Sequence, residues 1–207
     1  MNVHALNVGL PQSVNGFRTA FAKEPVTSSV HLGALGFTGD DVANHKYHGG
    51  PEKAVCCYPL THYAYWDRLA GRPLARPIFG ENLTLTDCTE ETVLIGEIYQ
   101  LGGAVVQVCQ PRVPCDTLIK RHQWQEILKE ATRTGFTGFY LRVLTEGAVA
   151  PGDAMTLRER PADSLSIAQA NEIFYRQRDD KAALERLVAL PALSTQWRDW
   201  ATERLHK

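Results

Sequence analysis

Over the first 160 residues apolar positions come in short runs of four to six, cut by glycine and proline, with no long stretch of helical period. Strands are predicted over residues 3–8, 28–32, 54–58, 82–85, 97–101, 104–109, 140–144 and 154–158. Residues 97–101 and 104–109 face each other across Gly102-Gly103, a dipeptide suited to a tight hairpin. Two helical stretches interrupt the strands: residues 60–69, rich in aromatics (Tyr63, Tyr65, Trp66), and residues 124–132. Many short strands with glycine punctuation predict a mainly β barrel or sandwich with flanking helices in preference to a parallel α/β sheet.

Beyond Pro161 the pattern changes. Residues 164–177, 180–190 and 194–206 carry apolar side chains at helical spacing: Ile167, Ala170, Ile173 and Phe174, then Leu184, Leu187 and Val188, then Trp197, Trp200 and Leu205. Ser164 or Ser166, Asp180 and Ser194 stand where N-caps belong, and Pro191 stops the middle helix. The chain thus divides into a β domain, residues 1–160, and an all-α three-helix unit, residues 161–207. A unit of that size is marginal alone, so it is expected to pack on the β domain or on a partner. It holds no cysteine and no cluster of reactive side chains, which suits a structural or regulatory role.

Composition narrows the classes. With 22 Lys and Arg against 23 Asp and Glu, the net charge of −1 gives no reason to expect nucleic acid or an acidic membrane surface as partner. No apolar run approaches a membrane span, and residues 1–12 lack the basic and apolar segments of a secretory signal. Five cysteines, an odd number, do not form a disulfide framework, and a reducing cytoplasm is the expected compartment.

The chemistry centres on residues 105–118. A β-branched strand is stopped by Pro111 and Pro114, with Arg112 between them and Cys115 immediately after. A thiol on a stiff turn near a cation leans toward thiolate, the form that ligates metals and attacks electrophiles. Taken alone, the same stretch also suits an inert thiol packed in a turn. Two loops are too glycine-rich for core segments: Gly36–Asp40 and His45–Pro51. On them Asp40 and His48 are candidates to orient a substrate, bond a cofactor, or act as acid and base. Asn82, in Phe79-Gly80-Glu81-Asn82-Leu83, offers donors and an acceptor to a heterocycle edge. Thr19 and Lys23, with Arg18 beside them, either bind an anionic group or form ordinary wet surface. Zinc is not expected: His45, His48, Cys56 and Cys57 lie close in sequence, but two adjacent cysteines on one strand point to opposite faces. No dinucleotide fingerprint, Walker loop or serine-hydrolase elbow occurs.

Together the motifs Gly36-x-x-Gly39-Asp40, His48-Gly49-Gly50-Pro51-x-Lys53-Ala54-Val55, Tyr58-Pro59, His62-Tyr63 with Trp66, Phe79-Gly80-Glu81-Asn82-Leu83, Gln110-Pro111-Arg112-x-Pro114-Cys115 and Gly138-Phe139-Tyr140-Leu141-Arg142-Val143 resemble the MOSC domain, named for the C-terminal domain of molybdenum cofactor sulfurases, in its YiiM-like branch. The three-helix tail is similar to the small domain that accompanies this branch. The resemblance implies a barrel-like fold with a molybdenum cofactor (molybdenum held by molybdopterin) in its cleft and Cys115 as the metal ligand. It implies further that Thr19, Lys23, Asp40, His48, Asn82 and Arg112 line the pterin and substrate pocket. Relatives of this kind reduce N-hydroxylated bases, such as 6-hydroxylaminopurine, to the amine. The chain departs from the family pattern at Asn44, where an acidic residue is usual, and at Phe139, where tryptophan is common.

Cleaving an N–O bond takes two electrons and two protons, and no side chain supplies the electrons. A reductase reading therefore needs the metal cofactor and, since the chain has no flavin or iron–sulfur motif, a separate flavoprotein donor. Its oligomeric state is expected to be monomer or homodimer. Two other readings remain open from the residues: a non-catalytic carrier of the molybdenum cofactor or its sulfur, and an interaction protein in which Cys115 is inert.

Overall fold

The computed structural model describes all 207 residues. Thirteen strands and six helices follow in the order β1 (Asn2–Val8), β2 (Gln12–Val14), β3 (Phe17–Thr19), β4 (Glu24–Pro25), β5 (Val30–Gly33), β6 (Gly36–Phe37), β7 (Val55–Pro59), α1 (Tyr63–Ala70), β8 (Leu83–Thr86), β9 (Ile98–Leu101), β10 (Ala104–Pro111), α2 (Thr117–His122), α3 (Ile127–Thr134), β11 (Phe139–Thr145), β12 (Gly147–Val149), β13 (Met155–Glu159), α4 (Ile167–Tyr175), α5 (Lys181–Val188) and α6 (Thr195–Leu205).

Eight strands form one sheet in the order β13-β9-β10-β11-β7-β8-β1-β4. Only the β7–β8 pair is parallel. At one end the sheet curls back on itself: Val3 N–H donates to the Asp153 carbonyl at 2.9 Å, and Met155 N–H to that of Met1 at 3.0 Å. The strand beginnings that would be free edges thereby meet, and the sheet becomes a half-barrel. Inside it, Val3, Leu6, Leu83, Leu85, Val106, Val108 and Leu141 are all but fully buried.

The three-helix unit has no separate core. Leu165, Ile167, Leu184, Leu187 and Trp197 join the same apolar cluster as the barrel interior. Each of its helices starts on the capping side chain its sequence offers. Ser166, rather than Ser164, caps α4, accepting from Gln169 N–H while Gln169 reaches back to Ser166 N–H at 2.9 Å. Asp180 caps α5 and Ser194 caps α6. A second cluster, built on Tyr58, Trp66, Phe79, Leu118 and Ile127, packs α1, α2 and α3 behind the loop that carries Cys115. There the Tyr58 and Phe79 rings stack 4.2 Å apart, and Trp66 Nε1–H donates to the Tyr58 hydroxyl at 2.6 Å.

Several elements differ from expectation. The hairpin β2–β3 and the short strands β4, β6 and β12 lie in polar or glycine-rich sequence with too few apolar positions to mark a period. α2 was not expected; six residues long, it follows Cys115 directly, and Gln123, left-handed at φ 50°, ends it. The second helix consequently starts at Ile127 in place of residue 124. No helix is long and apolar enough to cross a membrane.

Gly138 ties three parts of this frame. It has φ 74°. Its N–H donates to Glu90 Oε1 at 2.8 Å. Its carbonyl accepts from Arg112 N–H at 3.0 Å. A Cβ there would overlap the Cys57 carbonyl, so backbone would have to move. Gly138→Ala is expected to destabilise the fold by about 3 kcal/mol, combining left-handed strain with backbone overlap. Thermal unfolding checks it, with an expected drop in Tm on the order of 10 °C.

Candidate active site

Strand β10 delivers the reactive stretch. Its pairing with β11 shifts register between Val108 and Gln110, a bulge that bends the strand as it leaves the barrel wall. Pro111 makes the last pairing, opposite Phe139. Arg112 and Cys115 then enter a cleft of about 1030 Å³ between the β2–β3 hairpin, the 36–50 loops and the start of α2.

Arg112 is 4% exposed. Its guanidinium lies 5.6 Å from the centre of the Phe21 ring and 5.2 Å from that of Phe79, and its Nη1 has no hydrogen-bond partner. Gln110 Oε1, on the same wall, is also buried without one. A buried cation with an idle donor is costly unless an anion meets it.

Cys115 is half-buried, and burial alone would push its thiol up. The His48 imidazole, the Arg112 charge and Thr117, through hydroxyl and backbone N–H, outweigh burial and bring it down to about 6. The other cysteines go the opposite way. Burial raises Cys56 to about 11, Cys88 and Cys109 to about 12, and Cys57 well above the usual thiol range. All five are free thiols.

Asp40 is the junction of the opposite wall. Its Oδ1 accepts from Gly9 N–H at 2.8 Å and pairs with the Lys23 ammonium, while Oδ2 accepts from Asn82 Nδ2 at 2.8 Å. Asn82 Oδ1 in turn accepts from Cys56 N–H at 3.1 Å. A carboxylate that accepts from three donors is suited to the orienting role, one of those expected for Asp40. The Asp40 pair is the only bond that Lys23 Nζ makes, which leaves the ammonium further donors on the cleft side. Thr19, 5% exposed, anchors the Phe21 N–H on its hydroxyl oxygen at 3.0 Å and keeps its own hydrogen to donate.

His48 ends a tight turn in which its N–H donates to the Asn44 carbonyl at 3.0 Å. Gly49 and Gly50 follow at φ 76° and 85°, a conformation closed to most side chains. The Asn44 side chain caps this same turn, accepting from Lys46 N–H at 3.1 Å. His45 is exposed beside Asp41, 3.3 Å away.

All seven residues singled out from sequence, Thr19, Lys23, Asp40, His48, Asn82, Arg112 and Cys115, border this one cleft. Sequence reasoning missed Cys56, Tyr140 and Gln196, which border it as well. Cys56 and Cys57 do face opposite sides of β7, one toward the cleft and the other into the barrel core. That alternation marked one of the pair as accessible, although neither was singled out. Glu81 lies outside the cleft. Fully buried, it bonds Tyr63, Thr84 and the Phe79 N–H and holds the Gly80–Asn82 turn.

A mainly β half-barrel with a thiolate-prone cysteine and a buried arginine in one cleft is the arrangement of a MOSC domain, and the comparisons with known proteins agree on the family. The MOSC domain pattern matches residues 44–156, and that of the YiiM-like, 3-alpha helix domain matches residues 165–207. The chain belongs to the MOSC domain family, in its YiiM-like branch. It is 43% identical over 201 residues to the uncharacterized protein YflK of Bacillus subtilis, covering 95% of this chain and 91% of that one. To protein YiiM of Escherichia coli it is 35% identical over 185 residues, covering 88% and 82%. The crystal structure of YiiM from Geobacillus stearothermophilus superposes with a TM-score of 0.86 at 40% identity, over 99% of this chain and 98% of that one. Family membership supports a molybdenum-cofactor-associated function in general. The residues present suit such a group: a soft thiolate donor, with the Arg112 Nη1 and the Gln110 amide oxygen buried without a hydrogen-bond partner.

Proposed function

We infer that the protein is a reductase of N-hydroxylated bases and related compounds, converting them to the amine with a molybdenum cofactor held at Cys115. The observation that carries this reading is one cleft in which Cys115 lies beside His48 and a buried arginine whose Nη1 has no hydrogen-bond partner. A curated relative from Gibberella moniliformis named "Reductase", 35% identical over 193 residues, supports it; the chain spans about a third (34%) of that protein's length.

The Cys115 thiolate would ligate the metal. Arg112 and Lys23, with Thr19 as neutral donor, would hold the anionic pterin phosphate. When bound, the cofactor supplies the two-electron redox chemistry that no side chain provides. The balance is R–NH–OH plus two electrons and two protons giving R–NH₂ and water, with the N–O bond breaking. His48, beside Cys115, would give a proton to the departing hydroxyl oxygen. Asp40 and Asn82 hold Lys23 and the 7–9 backbone in place as the opposite wall. Electrons come from a separate flavoprotein, since the chain has no flavin-binding fingerprint. Free thiols throughout suit a reducing cytoplasm.

The test is reduction of 6-hydroxylaminopurine by protein from a host that makes the cofactor, with an artificial electron donor. Wild type is expected to form the amine, and His48→Ala to lose about a hundredfold in kcat at unchanged cofactor content. Full turnover by His48→Ala would remove the proton-donor role. Bound cofactor without turnover in the wild type would favour a carrier of the cofactor or its sulfur.

A further inference from the structure

The three-helix unit reaches the cleft at one residue. Gln196, in the first turn of α6, is the only side chain beyond Tyr140 on the cleft wall. Four side-chain amides border the cleft; Asn82 is committed at both ends, and Gln110 and Asn44 at one end each. Asn82 bonds Cys56, Asn7 and Asp40; Gln110 Nε2 donates to the Pro111 carbonyl at 3.4 Å; Asn44 accepts from Lys46 N–H. Gln196 makes no hydrogen bond within the protein and keeps both a donor and an acceptor free.

Its position is fixed by a latch. Glu52 lies in the 3-10 turn Pro51–Lys53, directly after His48-Gly49-Gly50. Glu52 Oε2 accepts from Thr195 N–H at 2.9 Å, one of the donors a helix start leaves without an internal partner. A carboxylate there is also favoured by the helix dipole. Glu52 Oε1 accepts from Arg142 Nη2 at 2.8 Å, and the Glu52 carbonyl from the Cys109 thiol at 3.0 Å. Ser194 N–H closes the circuit on the Cys109 carbonyl at 3.0 Å. The turn behind His48, the strand that leads to Cys115 and the start of α6 are thus tied at one point.

We propose that Gln196 is a specificity-determining residue that reads the heteroatom edge of a flat heterocyclic substrate at the cleft, and that Glu52 is the positioning residue that sets it there. A carboxamide presents a donor and an acceptor side by side, which matches a ring nitrogen next to an exocyclic amino group. A substrate of that class carries this edge; hydroxylamine itself does not. The kinetic arm of the test rests on the reductase reading, whereas the binding arm does not.

In the kinetic arm, kcat/KM is measured for 6-hydroxylaminopurine and for hydroxylamine with cofactor-loaded protein. Gln196→Ala is expected to lower the ratio of the two by roughly tenfold, the worth of a lost neutral hydrogen bond. Glu52→Ala is expected to lower it similarly and to speed hydrogen exchange at the Ser194 and Thr195 amides, while Glu52→Gln, which keeps one of the two acceptor oxygens, falls between wild type and Glu52→Ala. In the binding arm, calorimetry with adenine is expected to give a Kd roughly tenfold weaker for Gln196→Ala than for wild type. No turnover by the wild type, with adenine binding weakened in Gln196→Ala, would sink the reductase reading and leave Gln196 its role. An unchanged substrate ratio in Gln196→Ala, or adenine binding equal in both or absent from the wild type, overturns the proposal. A Glu52→Ala variant with unchanged exchange and ratio removes the latch.

Discussion

Cys115 is expected to titrate with a midpoint near pH 6, some five pH units below Cys56, the lowest of the buried thiols at about 11, and to be the only one of the five cysteines that alkylates near neutral pH. The rate at one pH is a poor readout, because a low-pKa thiolate is also a weaker nucleophile; with a Brønsted slope of about 0.4–0.5 the gain in thiolate is largely cancelled at pH 7. The profile is the signature. Iodoacetamide labelling followed by mass spectrometry from pH 4.5 to 10 should give an inflection near 6 at Cys115 alone. Removing the imidazole in His48→Ala should move it up, since His48 is the first of the groups that favour the thiolate. An inflection near the ordinary value of 9 in the wild type would mean that burial wins. The sign for stability follows from the same shift. A thiol depressed in the folded state contributes stability that is full above its unfolded pKa, near 9, and is lost as pH falls through about 6.

Arg112→Met is expected to separate stability from function. In the cofactor-free protein a buried guanidinium with an idle Nη1 costs several kcal/mol of desolvation, which the charges of the Cys115 thiolate and Glu81 offset in part. Its contacts over Phe21 and Phe79 return about 1–2 kcal/mol, and a methionine there replaces them in part with sulfur–aromatic contacts. The balance favours methionine. Cofactor-free Arg112→Met should unfold a few degrees higher than wild type, at about 2–4 °C per kcal/mol for a chain this size. The same change should remove retention of an anionic pterin and, with one cation gone, raise the Cys115 midpoint. A lower Tm would mean that Arg112 is a structural ion whose partner is the protein itself.

How much of this the sequence discloses depends on the element. The barrel strands were legible where β-branched and apolar residues alternate, as in β10, and the Gly102-Gly103 hairpin fell where expected. The helical unit was legible to the cap, because Ser166, Asp180 and Ser194 each have a local reason to start a helix. The β2–β3 hairpin was illegible: its strands are three residues each and largely polar. The cleft residues were found through motif register, since nothing local distinguishes Lys23 or Thr19 from wet surface. The donors that Asp40 meets were not legible, because Gly9, Lys23 and Asn82 converge on it from 17 to 42 positions away. Gln196 was missed for the same reason. Long-range contacts, among them the Glu52–Thr195 bond spanning 143 positions and the Ser194–Cys109 backbone bond, bring α6 to the cleft.

Cys115 is proposed to hold a molybdenum cofactor in this cleft. The most direct test is metal and pterin analysis of wild type and Cys115→Ser, both purified from a host that makes the cofactor. The account predicts molybdenum and pterin near one per chain in the wild type, and loss of the metal in a Cys115→Ser variant of unchanged circular dichroism. A wild type without molybdenum, or a serine variant that retains it in full, would contradict the account.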